Sequence, residues 1–186
     1  FFSGCEFTLT FLTFERLGYS PSQNGLMFVF IGFVLIMVQG GYVRRQASVI
    51  GEKAMAKKGL LFLVPALLIL SFASNSWWLY FGLLFMGIGS AMVIPTTTAL
   101  ASFGVPNSEN GRVLGVFRSL GALGRTFGPL LACMLYWKFS SAMPYIVSTF
   151  ALFLPFYLVS RIKRDSASPK ELPQKPNALN LSLIHI

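Results

Sequence analysis

The longest uncharged stretch of the chain sets the first limit on its fold. Residues 59–108 contain no Asp, Glu, Lys or Arg. Two successive helices built from this stretch would have no charged face to turn toward water, so a soluble all-α protein is the disfavoured alternative. The whole chain is also only 11% charged, whereas soluble domains average about 25%. The stretch therefore predicts helices that span a membrane.

Turn signals and charged segments divide residues 1–161 into six predicted spans, each near the length of about 20 residues that crosses the hydrocarbon core. The spans are expected at about residues 1–13, 23–43, 59–74, 77–100, 113–137 and 143–160. Residues 44–58 are expected to form a charged loop, and residues 162–186 a polar, disordered tail. The predicted fold class is an all-α membrane protein with one six-helix bundle.

Both ends of the chain suggest a longer parent sequence. The apolar pattern is already under way at Phe1, with no Met and no signal-peptide region, so the N-terminus is expected to be cut from a longer protein. Residues 181–186 follow a polar, Pro-rich segment and are expected to be a non-native, read-through ending.

Positive charge falls mainly on one side of the predicted membrane. Loops that alternate sides would bring nine basic residues together: Arg44, Arg45, Lys53, Lys57, Lys58, Arg112, Arg161, Lys163 and Arg164. The opposite side would receive Arg16 and Lys138. The positive-inside rule makes the first side, with the tail, cytoplasmic. The net charge of +9 therefore reflects topology and not nucleic-acid binding, which needs basic residues on one face. We expect a multi-pass protein, surrounded by lipid, in the plasma membrane or an internal membrane.

The residue inventory excludes several kinds of chemistry. Cys5 and Cys133 both lie in apolar segments and are interpreted as free thiols, and His185 is the only histidine. A zinc site and a histidine-dependent catalytic group are therefore excluded, and no set of nucleophile and base is present. We expect no enzyme activity and no cofactor.

Four polar residues inside the predicted spans are candidates for substrate binding or ion coupling. An Arg at the centre of a span must face protein or water, which favours a functional role for Arg125, as an anion site or the partner of a carboxylate. Arg118 lies two turns earlier and near the cytoplasmic end, so we expect it to reach the interface instead. Three interpretations of Glu6 remain: it couples transport to protons, it pairs with Arg125, or it lies at the outer mouth of the cavity. Gln39 is the weakest candidate, since a single Gln often only bridges neighbouring helices.

Small residues predict close helix packing in the fifth span. Gly124, Gly128 and Pro129 form a G-x-x-x-G-P pattern, in which the glycines let helix backbones approach and Pro permits a bend. Tight packing explains most of this pattern, although transporters also bend at such positions.

Several motifs resemble the C-terminal half of drug antiporters of the major facilitator superfamily. The matching segments are Ser20-Pro21-Ser22-Gln23-Asn24-Gly25, Gln39-Gly40-Gly41-Tyr42-Val43-Arg44-Arg45, Gly51-Glu52-Lys53, Gly111-Arg112-Val113-Leu114-Gly115 and Gly128-Pro129-Leu130-Leu131. The runs at residues 1–13 and 118–123 are more similar to animal, tetracycline-transporter-like members of this family. The resemblance covers about residues 1–160.

The resemblance implies a twelve-helix transporter of which these are helices seven to twelve. In the family, helices seven and ten line the cavity, which would put Glu6 and the fourth span on it, while helices eight and eleven contact the other half. The missing partner would then be the N-terminal six-helix half of the same protein. The family's loop motif carries an Asp in G-x-L-x-D-R, which this chain lacks, so we expect its basic segment (Gly40, Gly41, Arg44, Arg45, Gly51, Glu52 and Lys53) to anchor topology and meet anionic lipid.

Two function classes remain open at this stage. The first is a proton-coupled exporter or exchanger of organic anions or drug-like molecules that works by alternating access. The second is a non-transporting membrane partner or truncated product that packs against other helices. A channel is disfavoured, since the sequence has no charged ring and no filter-like Gly run.

Overall fold

The computed structural model describes residues 2–102, 105–106 and 108–161, and these residues are almost entirely helical. The predicted tail at 162–186 lies outside the described residues. The helices are α1 Phe2–Leu17, α2 Pro21–Met37, a π-helical segment Val38–Val43, α3 Arg44–Ile50, α4 Glu52–Ser71, α5 Ser76–Ala101, α6 Asn110–Lys138, α7 Met143–Ala151 and α8 Phe153–Arg161.

The start of α2 shows how local sequence fixes a helix end. The Ser20 side chain accepts a hydrogen bond from the Gln23 backbone N–H, and the Gln23 Oε1 accepts one from the Ser20 backbone N–H at 2.8 Å. Pro21 occupies the first turn. This reciprocal capping box satisfies two N–H groups that a helix start otherwise leaves unpaired. Ser20 and Gln23, together with Pro21, therefore fix the start of α2.

The charged loop predicted at residues 44–58 is wrong. The helix begun at Pro21 continues through the π-helical segment and α3 to Ile50, and α4 begins at Glu52. Gly51 alone interrupts the helix, with φ 84° and ψ 150°, a conformation that suits glycine because it has no Cβ. The prediction failed because charge marks the limit of the hydrocarbon region, whereas Arg, Glu and Lys are good helix formers in water.

Four described helical segments are long and apolar enough to cross a membrane. They are Pro21–Ala47, Glu52–Ser71, Ser76–Ala101 and Met143–Arg161. Many large apolar side chains on these segments are exposed, among them Phe33, Ile36 and Phe150. A surface of this kind is suited to lipid and not to water.

Glycines bring the central helices into backbone contact. A Cβ at Gly59 of α4 would stand 2.9 Å from the carbonyl oxygen of Gly89 in α5, and a Cβ at Gly89 would stand 2.8 Å from that of Gly59. A Cβ at Gly87 would lie 2.7 Å from the Val34 side chain of α2, so this position too is packed closely. Since these positions have no room for a side chain, the small residues of α5 serve close packing in this structure.

Helix α1 joins the bundle through small and polar contacts. Gly4 lies against Gly128 and Ala132 of α6. Polar contacts link α1 to its other neighbours, and two of them join buried side chains: the Thr13 hydroxyl donates to Asn24 Oδ1 at 2.6 Å, and the Sγ of Cys5 lies 3.0 Å from Ser148 Oγ. All four of these polar residues are buried, so hydrogen bonding removes the cost of placing them in an apolar interior.

The directions of the helices define two ends of the bundle. Glu15 meets Tyr136, and Arg16 meets Ser71 and Ser141, at one end, which we term the Arg16 end. Val43, Met55 and Met92 pack together near the opposite end, which also carries the start of α6 and the end of α8. This second end, termed the basic end, holds Arg44, Arg45, Lys53, Lys57, Lys58, Arg112 and Arg161.

Candidate functional site

Glu6 lies on the face of α1 that other helices leave partly open. It is half-buried, and in the described part of the chain no group donates a hydrogen bond to its carboxylate. Thr10 and Phe14 follow at intervals of four residues and therefore lie on nearly the same face. Both residues line an open groove at the Arg16 end. The carboxylate of Glu6 thus lies one helical turn from Thr10, where that groove begins.

Arg125 and Arg118 are exposed on α6. Positions 118, 125 and 132 repeat every seven residues and share one face, and Ala132 on that face packs against Gly4 of α1. The two arginines therefore continue the α1-facing stripe toward the basic end, beyond the contact made by Gly4. The Nη1 of Arg125 folds back toward the basic end and would lie 3.6 Å from a Cβ placed at Gly121.

The structure brings Glu6 and Arg125 to adjoining helices without joining them. Gly4 and Gly128 form the contact between α1 and α6, Glu6 lies past it toward the Arg16 end, and Arg125 lies before it toward the basic end. No ion pair or hydrogen bond links the two described side chains. The predicted pairing of Glu6 with Arg125 is therefore absent from this conformation.

The predicted loop residues form a compact region at the basic end. Gln39, Gly40 and Gly41 are exposed within the π-helical segment, where the Arg44 N–H donates to the carbonyl of Gln39, five residues back. Such single-turn π segments are rare and often mark functional positions. Arg44 and Arg45 begin α3, Gly51 breaks the helix, and Glu52 and Lys53 begin α4.

Two interactions at the Arg16 end were not anticipated from the sequence. The Arg16 guanidinium donates to the carbonyl of Ser71 at 2.9 Å, to the carbonyl of Ala73 at 3.4 Å, and to the hydroxyl of Ser141 at 2.8 and 3.2 Å. It therefore ties the end of α1 to the end of α4 and to the α6–α7 turn. Carbonyls at a helix C-terminus attract a cation, which favours this arrangement.

The second interaction joins the carboxylate of Glu15 to α6. The buried Tyr136 donates its hydroxyl to Glu15 Oε2 at 2.5 Å. The Tyr136 ring also packs near Phe11 and Trp137, at centroid distances of 6.3 and 5.8 Å. The only sequence signal for either contact was the run Phe14-Glu15-Arg16 at the end of the first predicted span, and that run does not identify partners more than fifty residues away.

The groove at the Arg16 end is an open concave feature of the described residues. Its volume is about 630 Å³, within the range of roughly 300–1,000 Å³ that small-molecule sites occupy. Its lining combines aromatic rings with a few polar groups: Thr10, Phe11, Phe14, Glu15, Tyr19, Pro21, Asn24, Gly25, Phe28 and Trp137. It lies between α1, α2 and the end of α6, on the side of α1 that carries Glu6.

The remaining candidates have structural explanations or open surroundings. Cys5 and Cys133 are both free thiols, and Cys5 is buried. Of the predicted packing residues, Gly128 contacts Gly4, whereas a Cβ at Gly124 would meet nothing within 4 Å. Gly128 is thus used in the contact with α1, whereas Gly124, one turn nearer the basic end on the same face, meets no neighbour.

Comparison with known proteins finds relatives that match most of the chain. The Major Facilitator Superfamily profile matches residues 1–185. Major facilitator superfamily domain-containing protein 10 of Mus musculus is 38% identical over 171 residues, covering 91% of this chain and 37% of that protein. The Homo sapiens protein of that name is 39% identical over 170 residues, with the same coverage. The multi-drug resistance efflux pump PmrA homolog of Lactococcus lactis is 28% identical over 155 residues, covering 79% of this chain and 38% of its own length.

A solved structure is similar to this chain in its three-dimensional fold. The crystal structure of the human organic anion transporter MFSD10 (TETRAN) matches with a TM-score of 0.81 at 37% sequence identity. The match covers 85% of this chain and 37% of the human chain. The present chain therefore spans little more than a third of the length of these relatives.

Proposed function

Because the chain belongs to the major facilitator superfamily, whose members are transporters and not enzymes, we propose that it forms the C-terminal six-helix half of a twelve-helix secondary transporter. The four apolar segments supply four of the six proposed spans. We assign α1 and α6 as the other two. The 29 residues of α6 extend about 44 Å at 1.5 Å per residue, which exceeds the hydrocarbon thickness of about 30 Å.

Helix α6 is less apolar than the other proposed spans because it carries basic residues. It contains Arg112, Arg118, Arg125 and Lys138. An arginine in a span is tolerated where it faces protein or a water-filled cavity, and such residues often mark transport pathways. The exposed face of α6 with Arg125 and Gly124 is therefore proposed to face the cavity and the N-terminal six-helix half of the same protein.

We propose that the transported molecule is an organic anion or a drug-like small molecule. The observation that carries this proposal is the guanidinium of Arg125, which is exposed near the middle of α6, a proposed span. A cation in these surroundings favours an anionic partner, and the carboxylate of Glu6 on the adjoining helix α1 is not bonded to it. A solved relative is described as an organic anion transporter, in agreement with this proposal.

Glu6 is the proposed proton-coupling group. Its carboxylate has no hydrogen-bond donor among the described residues, and Glu6 lies one helical turn from Thr10, which lines the groove at the Arg16 end. In the proposed cycle, the two halves rock about a central site, so that Glu6 and Arg125 meet opposite solutions in turn. Binding of a proton at Glu6 from one solution and of an anion at Arg125 from the other would then favour opposite reorientations, so that proton entry is coupled to anion export or exchange.

The proposed topology places the basic end in the cytoplasm and the Arg16 end outside. Lys and Arg gather at the basic end, as the positive-inside rule requires of cytoplasmic segments. The C-terminal tail would then also be cytoplasmic, in a plasma membrane or an internal membrane. Reaction of a membrane-impermeant thiol reagent with S140C, but not with V49C, in sealed vesicles oriented like the cell would support this orientation, and the reverse would contradict it.

The transport proposal is tested with the full-length protein in proteoliposomes. Uptake of a panel of fluorescent organic anions is measured with and without an imposed pH gradient, for wild type, R125A and E6Q. The proposal expects gradient-dependent uptake in wild type and loss of that dependence in E6Q. R125A should lose uptake of the anions themselves, and T126A is the matched control on the same turn.

Two other outcomes would contradict different parts of the proposal. Unchanged uptake in both variants would remove Glu6 and Arg125 from the site while leaving the transporter assignment standing. A folded wild type that moves nothing on the panel would favour the alternative, in which the chain is a membrane partner that does not transport.

A further inference from the structure

The groove at the Arg16 end contains a carboxylate but no basic residue among the described residues that line it. Glu15 is the charged member of this lining. Its Oε2 accepts the Tyr136 hydroxyl, and the carboxylate forms no ion pair with a described residue. The guanidinium of Arg16, although next in the chain, is bonded to oxygens near the end of α4 and in the α6–α7 turn. The groove therefore favours a positively charged occupant over an anion.

Aromatic rings form much of the wall of this groove. Phe14, Phe28 and Trp137 all line it, and all three are exposed rather than covered by other described residues. Phe11 packs against Trp137 with the ring centroids 6.4 Å apart and an angle of 69° between the ring planes. The face of an aromatic ring is electronegative and attracts cations, and groups of such rings recognise quaternary ammonium ligands. The rings and the Glu15 carboxylate therefore favour a ligand of the same charge.

Asn24 adds a hydrogen-bond donor that has no partner in the described part of the chain. The residue lines the groove but is only 8% exposed. Its Oδ1 accepts the Thr13 hydroxyl at 2.6 Å, whereas its amide NH2 group donates to no described residue. A buried donor without a partner costs free energy, which a carbonyl or ether oxygen of a ligand would recover. This donor indicates, independently of charge, an occupant that carries a hydrogen-bond acceptor.

We propose that the groove binds an organic cation that combines a quaternary ammonium group, an apolar body and a hydrogen-bond acceptor. The ammonium group lies beside Glu15 and the aromatic rings, and the acceptor oxygen meets the Asn24 amide. A volume of about 630 Å³ accommodates one molecule of this kind. The charge preference is opposite to that proposed for Arg125, so the site does not depend on the transport proposal. A free organic cation and the choline headgroup of a lipid share this chemistry.

Titration calorimetry of the full-length protein in detergent with benzoylcholine tests this proposal. Benzoylcholine carries a quaternary ammonium group, a carbonyl and a phenyl ring, and its isostere 3,3-dimethylbutyl benzoate lacks only the charge. Wild type should bind benzoylcholine, and the isostere should compete about tenfold more weakly. E15Q keeps an acceptor for the Tyr136 hydroxyl but removes the charge, so it should weaken binding about tenfold. W137L should weaken binding about fivefold.

Three further variants separate the groove from the rest of the surface. E109Q removes an exposed carboxylate at the basic end, and W77L removes an exposed tryptophan that is not among the lining residues. Both variants should bind benzoylcholine as wild type does. N24A should weaken the binding of benzoylcholine but not that of benzyltrimethylammonium, which has no carbonyl for the amide to meet.

Equal affinity of E15Q and wild type for benzoylcholine would overturn the proposal, as would equally tight binding of the uncharged isostere. A wild type that does not bind benzoylcholine would also overturn it, and would indicate that the rest of the full-length protein fills the groove. Competition by dihexanoyl phosphatidylcholine, but not by the phosphatidylethanolamine of the same chain length, would identify a choline headgroup as the source of the cation. Competition by neither lipid would indicate a free organic cation.

Discussion

Gly4 and Gly128 lie in direct backbone contact: a Cβ at Gly4 would stand 2.5 Å from the carbonyl oxygen of Gly128 and 2.7 Å from the Cβ of Ala132. Neither neighbour is a flexible side-chain end that can move aside. The contact holds α1 against α6 at the level between Glu6 and Arg125, so it also sets the separation of the two proposed functional groups.

Replacing Gly4 by Ala should therefore separate α1 from α6. Overpacking of this kind costs about 1–3 kcal/mol of unfolding free energy, and we expect G4A to lower the thermal unfolding midpoint of the purified protein. G111A is the matched control, since a Cβ at Gly111 meets nothing within 4 Å. Equal midpoints for G4A and wild type would show that the two helices are not packed as described.

Arg16→Lys should loosen the Arg16 end although it keeps the charge. The guanidinium serves three acceptors in different directions, Ser71 and Ala73 carbonyls and the Ser141 hydroxyl, and a single ammonium cannot reproduce this fork. Hydrogen bonds to charged groups contribute roughly 1.5–3 kcal/mol each, so we expect a loss near the lower figure. Thermal unfolding measures it, with K138R as the control, and a loss no larger than that of K138R would contradict the prediction.

Gly51→Ala should destabilise the junction between α3 and α4. Its backbone has φ 84° and ψ 150°, a region that is essentially restricted to glycine and costs other residues about 1–3 kcal/mol. G32A is the comparison, because Gly32 lies in the regular part of α2 with nothing within 4 Å of a Cβ. We expect hydrogen exchange at residues 44–56 to accelerate in G51A and not in G32A. Equal exchange in the two variants would show that the junction tolerates a side chain.

Tyr136→Phe should remove one hydrogen bond while keeping the ring in place. The variant deletes the donor to Glu15 but preserves packing near Phe11. Because Glu15 is exposed and water can replace the hydroxyl, we expect a loss of about 1 kcal/mol in unfolding free energy. Y42F, at an exposed tyrosine of the π-helical segment, should be neutral. A loss as large as that of Y136A would mean that the hydroxyl and not the ring carries the interaction, which would contradict the prediction.

The sequence predicted the class of fold because hydrophobic spans follow from composition alone. The uncharged residues 59–108 predicted two helices there, and α4 and α5 confirm them. Gly51 shows the limit of this reasoning. Charge reports where a chain leaves the hydrocarbon region, not where its helix ends, so one glycine forms the break that was predicted as a fifteen-residue loop.

The site was predictable in part. Glu6 and Arg125 were identifiable because an ionisable group inside an apolar run is costly wherever the chain folds. Their separation was not, since it depends on the close approach of Gly4 to Gly128, a contact between residues far apart in sequence. The contacts of Arg16 were hidden for the same reason, because two of its acceptors are backbone carbonyls and any residue can supply those.

The π-helical segment Val38–Val43 has a consequence for how this chain tolerates change in length. A π turn holds one residue more than an α turn, and each residue of an α-helix rotates its successors by about 100°. Deleting either Gly40 or Gly41 could therefore be absorbed by conversion to regular α-helix, leaving α3 attached and its rotational setting nearly unchanged. Elsewhere in α2 the same deletion would turn every later side chain to a different face. A one-residue deletion at either of the two glycines should therefore change the direction of the Arg44 and Arg45 side chains less than a deletion elsewhere in α2.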